Sequence, residues 1–354
     1  MKVAMLSSPM LFQTQGGLQI QILESVSALQ QRGVDAQLIN PNVQHLTEFD
    51  VIHVFSVING NQRIAEHAKA FGLPVVTSPL IRSHWNRSLG AKARLLERAV
   101  GRLTRWSIKT EYREIDSCLQ HSDILIALGE TEKASIVDAF LIEPEKIRVV
   151  PNGIPDRFFC ADPTAARVCL RSDEGFVLNI ASINPHKNQL TLARATARAK
   201  RRLVLAGECL LSEQSYLEQI LAFPHVTYVG KLRYDDPLLP SLYAAADVFC
   251  LPSQSEVMPL ATLESLAAGT PVVTTRHHCM NLSGMRDFIE EVEPNNEMAI
   301  LDSIELISNR DIDHMDCQTS VKRYSWNSVA QMLHEAYTEA LDLGNSSQST
   351  PLGE

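Results

Sequence analysis

Much of what defines this chain is missing from it. It has no apolar run near the ~18 residues that a membrane-spanning helix needs. No G-x-G-x-x-G follows the first strand-like segment, which argues against a nicotinamide-dependent dehydrogenase. No C-x-x-C occurs, and the seven cysteines (118, 160, 169, 209, 250, 279 and 317) are scattered and odd in number. That suits free thiols in a reducing cytosol better than a disulfide frame. No His/Cys cluster has zinc spacing. Positive charge is in deficit: 32 Lys and Arg against 41 Asp and Glu give a net charge of −9, which speaks against general nucleic-acid binding. The start, Met1-Lys2-Val3-Ala4-Met5-Leu6, enters a strand-like run directly and lacks a signal-peptide pattern. A cytoplasmic protein is expected.

What is present is the composition of a soluble globular protein, and 354 residues suggest two domains. Short apolar runs alternate with helical patterns at 2–8, 18–31, 35–40, 51–56, 62–71, 74–78, 123–129, 130–140 and 146–151. That alternation implies a parallel sheet flanked by helices. A polar, irregular stretch at 156–175 reads as a linker, and a second βα series begins at Phe176. The expectation is an α/β chain of two doubly wound, Rossmann-like domains facing across a cleft. Its parts are residues 1–158, 159–325, a terminal helix at 326–343 that crosses back to the first domain, and a disordered tail at 344–354.

The most informative stretch is 248–275, VFCLPSQSEVMPLATLESLAAGTPVVTT. It reads as strand, loop, helix, glycine stop and strand. Glu256 falls in the loop and Glu264 one turn inside the helix, so both can face the helix N-terminus, where free N–H groups suit phosphate. Residues 253–273 resemble the Glu-x7-Glu signature of the retaining family-4 glycosyltransferases, which have the GT-B fold. The resemblance covers most of the chain and is strongest over 176–275. It implies a nucleotide-diphosphate sugar donor, UDP- or GDP-linked, with no separate cofactor. Glu264 would hold the ribose diol and Glu256 would lie against the donor sugar. A carboxylate has two acceptor oxygens and can take both hydrogens of a diol.

Other motifs carry the same resemblance. The loop Ile183-Asn184-Pro185-His186-Lys187-Asn188-Gln189 is similar to the family's Gly-Arg-x-x-x-x-Lys loop, with Lys187 as the cation for the diphosphate. Ser182 stands where the family has Arg; Arg201, His186 or Arg276 are the candidates to supply that charge. VTYVGK at 226–231 resembles the strand whose following residues hold the base, so Gly230, Lys231 and Leu232 are candidate base contacts, with Gly207 at the end of the preceding strand. Backbone groups of Met258, Leu260 and Ala261 are expected to help hold phosphate, while Pro259 has no N–H to give. Gly16-Gly17 matches a family Gly-Gly near the donor phosphates or acceptor, and equally fits a plain tight turn. Asn152, in the turn Pro151-Asn152-Gly153, either faces the cleft or merely makes that turn.

The family's His beside the transferred sugar is absent: Pro79 and Leu80 stand there. His53 and His84 are candidate substitutes for a sugar or acceptor contact, and either also fits a hydrogen-bonded structural histidine. The segment 89–109 predicts a long helix with Leu89, Ala93, Leu96, Val100 and Leu103 on one stripe. Arg94, Arg98, Arg102, Arg105 and Lys109 fall opposite. That basic side suits an anionic membrane or a lipid-diphosphate acceptor, or is simply a solvated face. Asp311-Ile312-Asp313 has the spacing of a metal motif but lies between helices, and no metal is expected.

The resemblance thus implies retaining transfer of a hexose, or a derivative, to a glycan or lipid-linked acceptor. A role in surface polysaccharide synthesis, on the inner face of the cytoplasmic membrane, would follow. Two other functions keep the architecture. A nucleotide-sugar epimerase or hydrolase needs an acid/base pair that is not evident. A non-catalytic nucleotide-sugar-binding partner of another transferase is favoured by the missing Arg and His.

Overall fold

The computed structural model describes residues 1–13, 16–104 and 110–348. Its frame is two six-stranded sheets. The first contains β1 (Lys2–Leu6), β2 (Asp35–Leu38), β3 (Val51–Phe55), β4 (Val75–Ser78), β5 (Ile124–Ala127) and β6 (Ile147–Val149), in the order β2-β1-β3-β4-β5-β6. The second contains β7 (Val177–Ile180), β8 (Leu203–Ala206), β9 (Val226–Gly230), β10 (Val248–Leu251), β11 (Val272–Thr275) and β12 (Ile289–Val292), in the order β12-β11-β10-β7-β8-β9. Every strand pairing is parallel. Helices cover both faces of each sheet, so β4, β5 and β10 are buried at every position and read as unbroken apolar or small-residue runs.

Strand order reverses between β1 and β3 in the first lobe and between β7 and β10 in the second. At such reversals neighbouring connections leave in opposite directions and open a crevice at the carboxyl ends of the strands. The cleft described below lies there.

The stretch expected as an irregular linker is in fact helical, at Asp156–Phe159 and Thr164–Leu170. Phe158, Ala166 and Leu170 pack into the core of the second lobe beside Phe176 and Tyr243. β12 was not legible as a strand: its Glu290 and Glu291 are tolerated because it is an edge strand, and only Ile289 and Val292 are buried.

The helix Trp326–Gln348 runs on past Leu343; residues 349–354 of the expected tail lie outside the described residues. Val329, Ala330, Leu333, Ala336, Tyr337 and Ala340 recur at helical spacing and pack with Ile22 and Leu29 of the helix Gly17–Gln31. The two passages between lobes run side by side. Ile154 bridges Ser325 in parallel, and the Ile154 N–H donates to the Tyr324 carbonyl at 2.7 Å.

The helix Arg87–Thr104 departs from expectation. Its buried positions are Gly90, Glu97 and Gly101, while Leu96 and Leu103 of the expected core stripe face solvent. Gly90 decides this: a Cβ there would sit 2.3 Å from the Ala139 carbonyl oxygen, so only glycine lets the two helices approach so closely. Buried Glu97 is reached by Arg113 at 3.5 Å.

Candidate functional site

A cleft of about 650 Å³ lies between the lobes and is lined from both. The first lobe contributes Gly16 and Gly17, Ser56 after β3, and the 79–85 segment after β4. The second contributes Ser182 and Lys187 after β7, Gly207 and Glu208 after β8, and Leu232 and Tyr234 after β9. Residues 255–261 and Glu264, after β10, complete it.

Lys187 ends a short turn, Pro185–Lys187, that is fixed at both sides. The Asn184 side chain accepts from the Lys187 N–H at 3.1 Å. Asn188 adopts a left-handed conformation (φ 60°), which asparagine tolerates, and donates to the Pro252 carbonyl at 3.2 Å. So placed, Lys187 Nζ meets Glu256 Oε1 at 2.5 Å. The Glu256 N–H donates to the His277 carbonyl at 2.8 Å, so the segment after β11 steadies this loop. His186 also lines the cleft, its Nε2 3.0 Å from the Ser255 carbonyl, and its pKa is lowered by burial and by Lys187 beside it. Of the three candidates for the missing charge it alone lines the cleft. Arg201 pairs with Asp247 at 3.1 Å and Arg276 with Glu293 at 3.2 Å.

Glu264 sits in the first turns of the helix Leu260–Ala267 and is 4% exposed. Tyr243 donates to its Oε2 at 3.1 Å, while Oε1 is buried with no hydrogen-bond partner among the described residues. Burial pushes this carboxyl up to about 7, against the pull of the Tyr234 and Tyr243 hydroxyls and Arg157. The Arg157 guanidinium lies over the Tyr234 ring, 4.3 Å from its centroid. An unsatisfied buried acceptor costs roughly 1–3 kcal/mol, which a hydroxyl-bearing ligand would relieve.

The other expected site residues divide. Met258, Pro259, Leu260, Ala261, Ser182, Gly207 and Leu232 line the cleft with Gly16 and Gly17. Asn152 lines it too, but its Nδ2 donates to the Met258 carbonyl at 2.9 Å, tying one lobe to the other. Gly230 and Lys231 do not line it; Lys231 pairs instead with Glu208 at 2.7 Å. His84 lines the cleft mouth and is exposed.

His53 is a correction. Its strand is covered by the terminal helix, and Nδ1 lies 2.7 Å from the Tyr337 hydroxyl, with Nε2 2.9 Å from Ser78 Oγ. Fully buried away from the cleft, it is held neutral, with its pKa lowered by burial to about 3. Of the described basic residues on the helix Arg87–Thr104, only Arg94 departs from the expected outward face. Arg94 turns inward to the Ala139 carbonyl at 2.5 Å, Arg98 and Arg102 are exposed, and none of the three lines the cleft. Arg105 and Lys109 lie outside the described residues. The rejected Asp311-Ile312-Asp313 has a structural use, since Asp313 caps the helix His314–Val321 by accepting from Met315 N–H at 2.6 Å.

Glu132 escaped sequence reasoning. It is fully buried, accepts from the Ile81 and Leu128 N–H groups at 2.7 Å each, and so holds the 79–85 segment in place. Leu80 in that segment has φ 60°, a strained value for a bulky residue. The signal available was a Glu at the third position of a helix that follows a buried strand, where it can reach back to the entering backbone.

Two facing Rossmann-like lobes with a cation and carboxylates at their switch points define a GT-B class protein. Comparison with known proteins agrees. Residues 165–323 match the family described as glycosyl transferases group 1, and residues 42–158 match glycosyltransferase family 4. The chain belongs to this group 1, family 4 glycosyltransferase family. It is 29% identical over 250 residues to D-inositol 3-phosphate glycosyltransferase of Thermobispora bispora, covering 62% of this chain and 57% of that one. The chain thus spans a little over half the length of that curated relative. Among solved structures, sucrose-phosphate synthase from Thermosynechococcus elongatus superposes with a TM-score of 0.74 at 16% identity, covering 97% of this chain and 100% of that one. Anabaena HepE, solved in complex with UDP and glucose, gives 0.71 at 17% identity, covering 96% and 100%. At these identities the structural likeness bears on the fold.

Proposed function

We propose that this protein transfers a hexose, or a hexose derivative, from a UDP- or GDP-linked sugar to a glycan or lipid-linked acceptor with retention of configuration. With such an acceptor, its role would be in surface polysaccharide synthesis on the cytoplasmic side of a membrane. The observation that carries this reading is the convergence of Lys187, Glu256 and Glu264 in one interlobe cleft, with Glu264 Oε1 buried and unpaired. Lys187 exchanges its Glu256 partner for the donor diphosphate and stabilises the leaving group. Glu264 accepts from the ribose hydroxyls, and Glu256 orients the donor sugar. Front-side attack through an oxocarbenium-like state asks chiefly for leaving-group stabilisation and positioning, so no nucleophile, metal or cofactor enters this scheme.

A thermal-shift panel of UDP, GDP, ADP and their sugars tests it. A ligand at 100 times its Kd adds ~2.7 kcal/mol of apparent stability. One base should raise Tm in the wild type and do so much less in Glu264→Ala. An equal shift in that variant, or no shift with any nucleotide, would count against the assignment. Binding without turnover of any donor would favour a non-catalytic nucleotide-sugar-binding partner, which Ser182 in place of Arg already makes chemically reasonable.

A further inference from the structure

We propose that the outward face of the helix Arg87–Thr104 docks this protein on an anionic lipid bilayer. At 100° per residue the buried positions Gly90, Glu97 and Gly101 share one side of the helix, and Leu95, Leu96, Ala99 and Leu103 cluster opposite. Those leucines are 70%, 60% and 85% exposed, although leucine is ordinarily a core residue. Gly90 draws the helix against Ala139 by its narrow side, with Gly101 buried on that same side, and the broad apolar side is left in solvent.

The exposed charge that the helix itself carries beside that side is of one sign. Lys92, Arg98 and Arg102 are exposed beside the leucines with no ion-pair partner among the described residues. Glu97 is the only acid in the helix, and it points inward to Arg113. On a chain with net charge −9, most of the surface is repelled by anionic lipid, so a local cationic face fixes which side approaches. Leucines with Arg98 and Arg102 along one flank, and Lys92 a turn before those leucines on the same side, suit insertion at the acyl boundary, while the aliphatic stems of the basic chains let their charges reach lipid phosphates. A two-fold dimer through this face would set its basic chains against one another, so charge favours an anionic bilayer over a symmetric second copy.

The orientation has a consequence for the cleft. The helix follows directly on Arg82, His84 and Trp85, which line the cleft mouth. Docking by this face sets that mouth beside the lipid, where a lipid-linked acceptor would present its head group. This last point rests on the transferase reading above; the docking itself does not.

Flotation of the full chain with vesicles tests the surface. Binding is expected to vesicles of phosphatidylcholine mixed with phosphatidylglycerol, to weaken with added salt, and to be absent with phosphatidylcholine alone. Leu96→Ser with Leu103→Ser, and separately Arg98→Glu with Arg102→Glu, should each lower the partition coefficient by ~10-fold or more. These side chains project into solvent, so the Tm and nucleotide-induced shift should stay at wild-type values, which separates loss of docking from loss of the donor site. No binding to phosphatidylglycerol vesicles at low salt, or undiminished binding by both variants, would overturn the proposal. So would a wild-type dimer that the leucine substitutions dissociate, because it would assign the face to a second copy.

Discussion

Lys187 Nζ and Glu256 Oε1 lie 2.5 Å apart although 69 positions separate them in the chain. One stands after β7 and the other after β10, the two strands between which the second sheet reverses. Adjacent strands with oppositely directed connections bring their carboxyl-end loops together, which is how residues so distant come to share a cleft.

If Lys187 carries the charge of the leaving diphosphate, Lys187→Ala should lower turnover at saturating donor by ~10²-fold or more. Steady-state sugar transfer, or donor hydrolysis where no acceptor is known, measures it. Turnover within a few-fold of wild type would remove Lys187 from the chemistry. Glu256→Gln weakens the hold on Lys187 and should leave nucleotide affinity intact or increased while transfer falls.

Glu132 makes stability depend on pH. Burial pushes its folded pKa up to about 7 from an ordinary 4.5, against the pull of the Leu128 and Ile81 N–H groups. The folded state therefore holds a proton that the unfolded chain has released. The associated stability is fully present below about 4.5 and is lost as pH rises through 7, with a slope of up to ~1.4 kcal/mol per pH unit. Glu264 acts in the same direction, while His53, with its pKa lowered to about 3, acts oppositely below its ordinary 6.5. Urea unfolding between pH 4.5 and 7 should accordingly give a less negative slope for Glu132→Gln than for wild type. Identical slopes would mean that Glu132 does not titrate in this range.

The passage between lobes has no room for a side chain at Gly153. A Cβ there would lie 2.3 Å from the Trp326 ring. Gly153→Ala should therefore destabilise by ~1–3 kcal/mol, the usual cost of overpacking. It should also loosen the contact between the Pro151-Asn152-Gly153 turn and the terminal helix, visible as faster amide exchange at Ile154 and Ser325. Wild-type stability would show that the indole moves aside freely.

Much of this molecule was legible in local pattern. Short apolar strands alternating with helices specify parallel sheets, because only strands covered on both faces can be apolar throughout. The strand, loop and helix around Glu256 and Glu264 and the loop around Lys187 carried the family resemblance, and it was that resemblance that implied a donor site at these three residues. All are properties of a few consecutive residues.

The rest depended on what each residue meets across the chain. His53 fitted either a site contact or a structural histidine until the terminal helix placed Tyr337 over it. Lys231 does not line the cleft but pairs with Glu208, which does, and Glu132 acquired its hold on the 79–85 segment from Ile81, a residue of another strand connection. The helix Arg87–Thr104 shows the reason most plainly. Its sequence fixes an amphipathic cylinder, but periodicity does not say which side is covered. That was decided by the close approach of Ala139 to Gly90, a contact between residues far apart in sequence, and it left leucines facing outward.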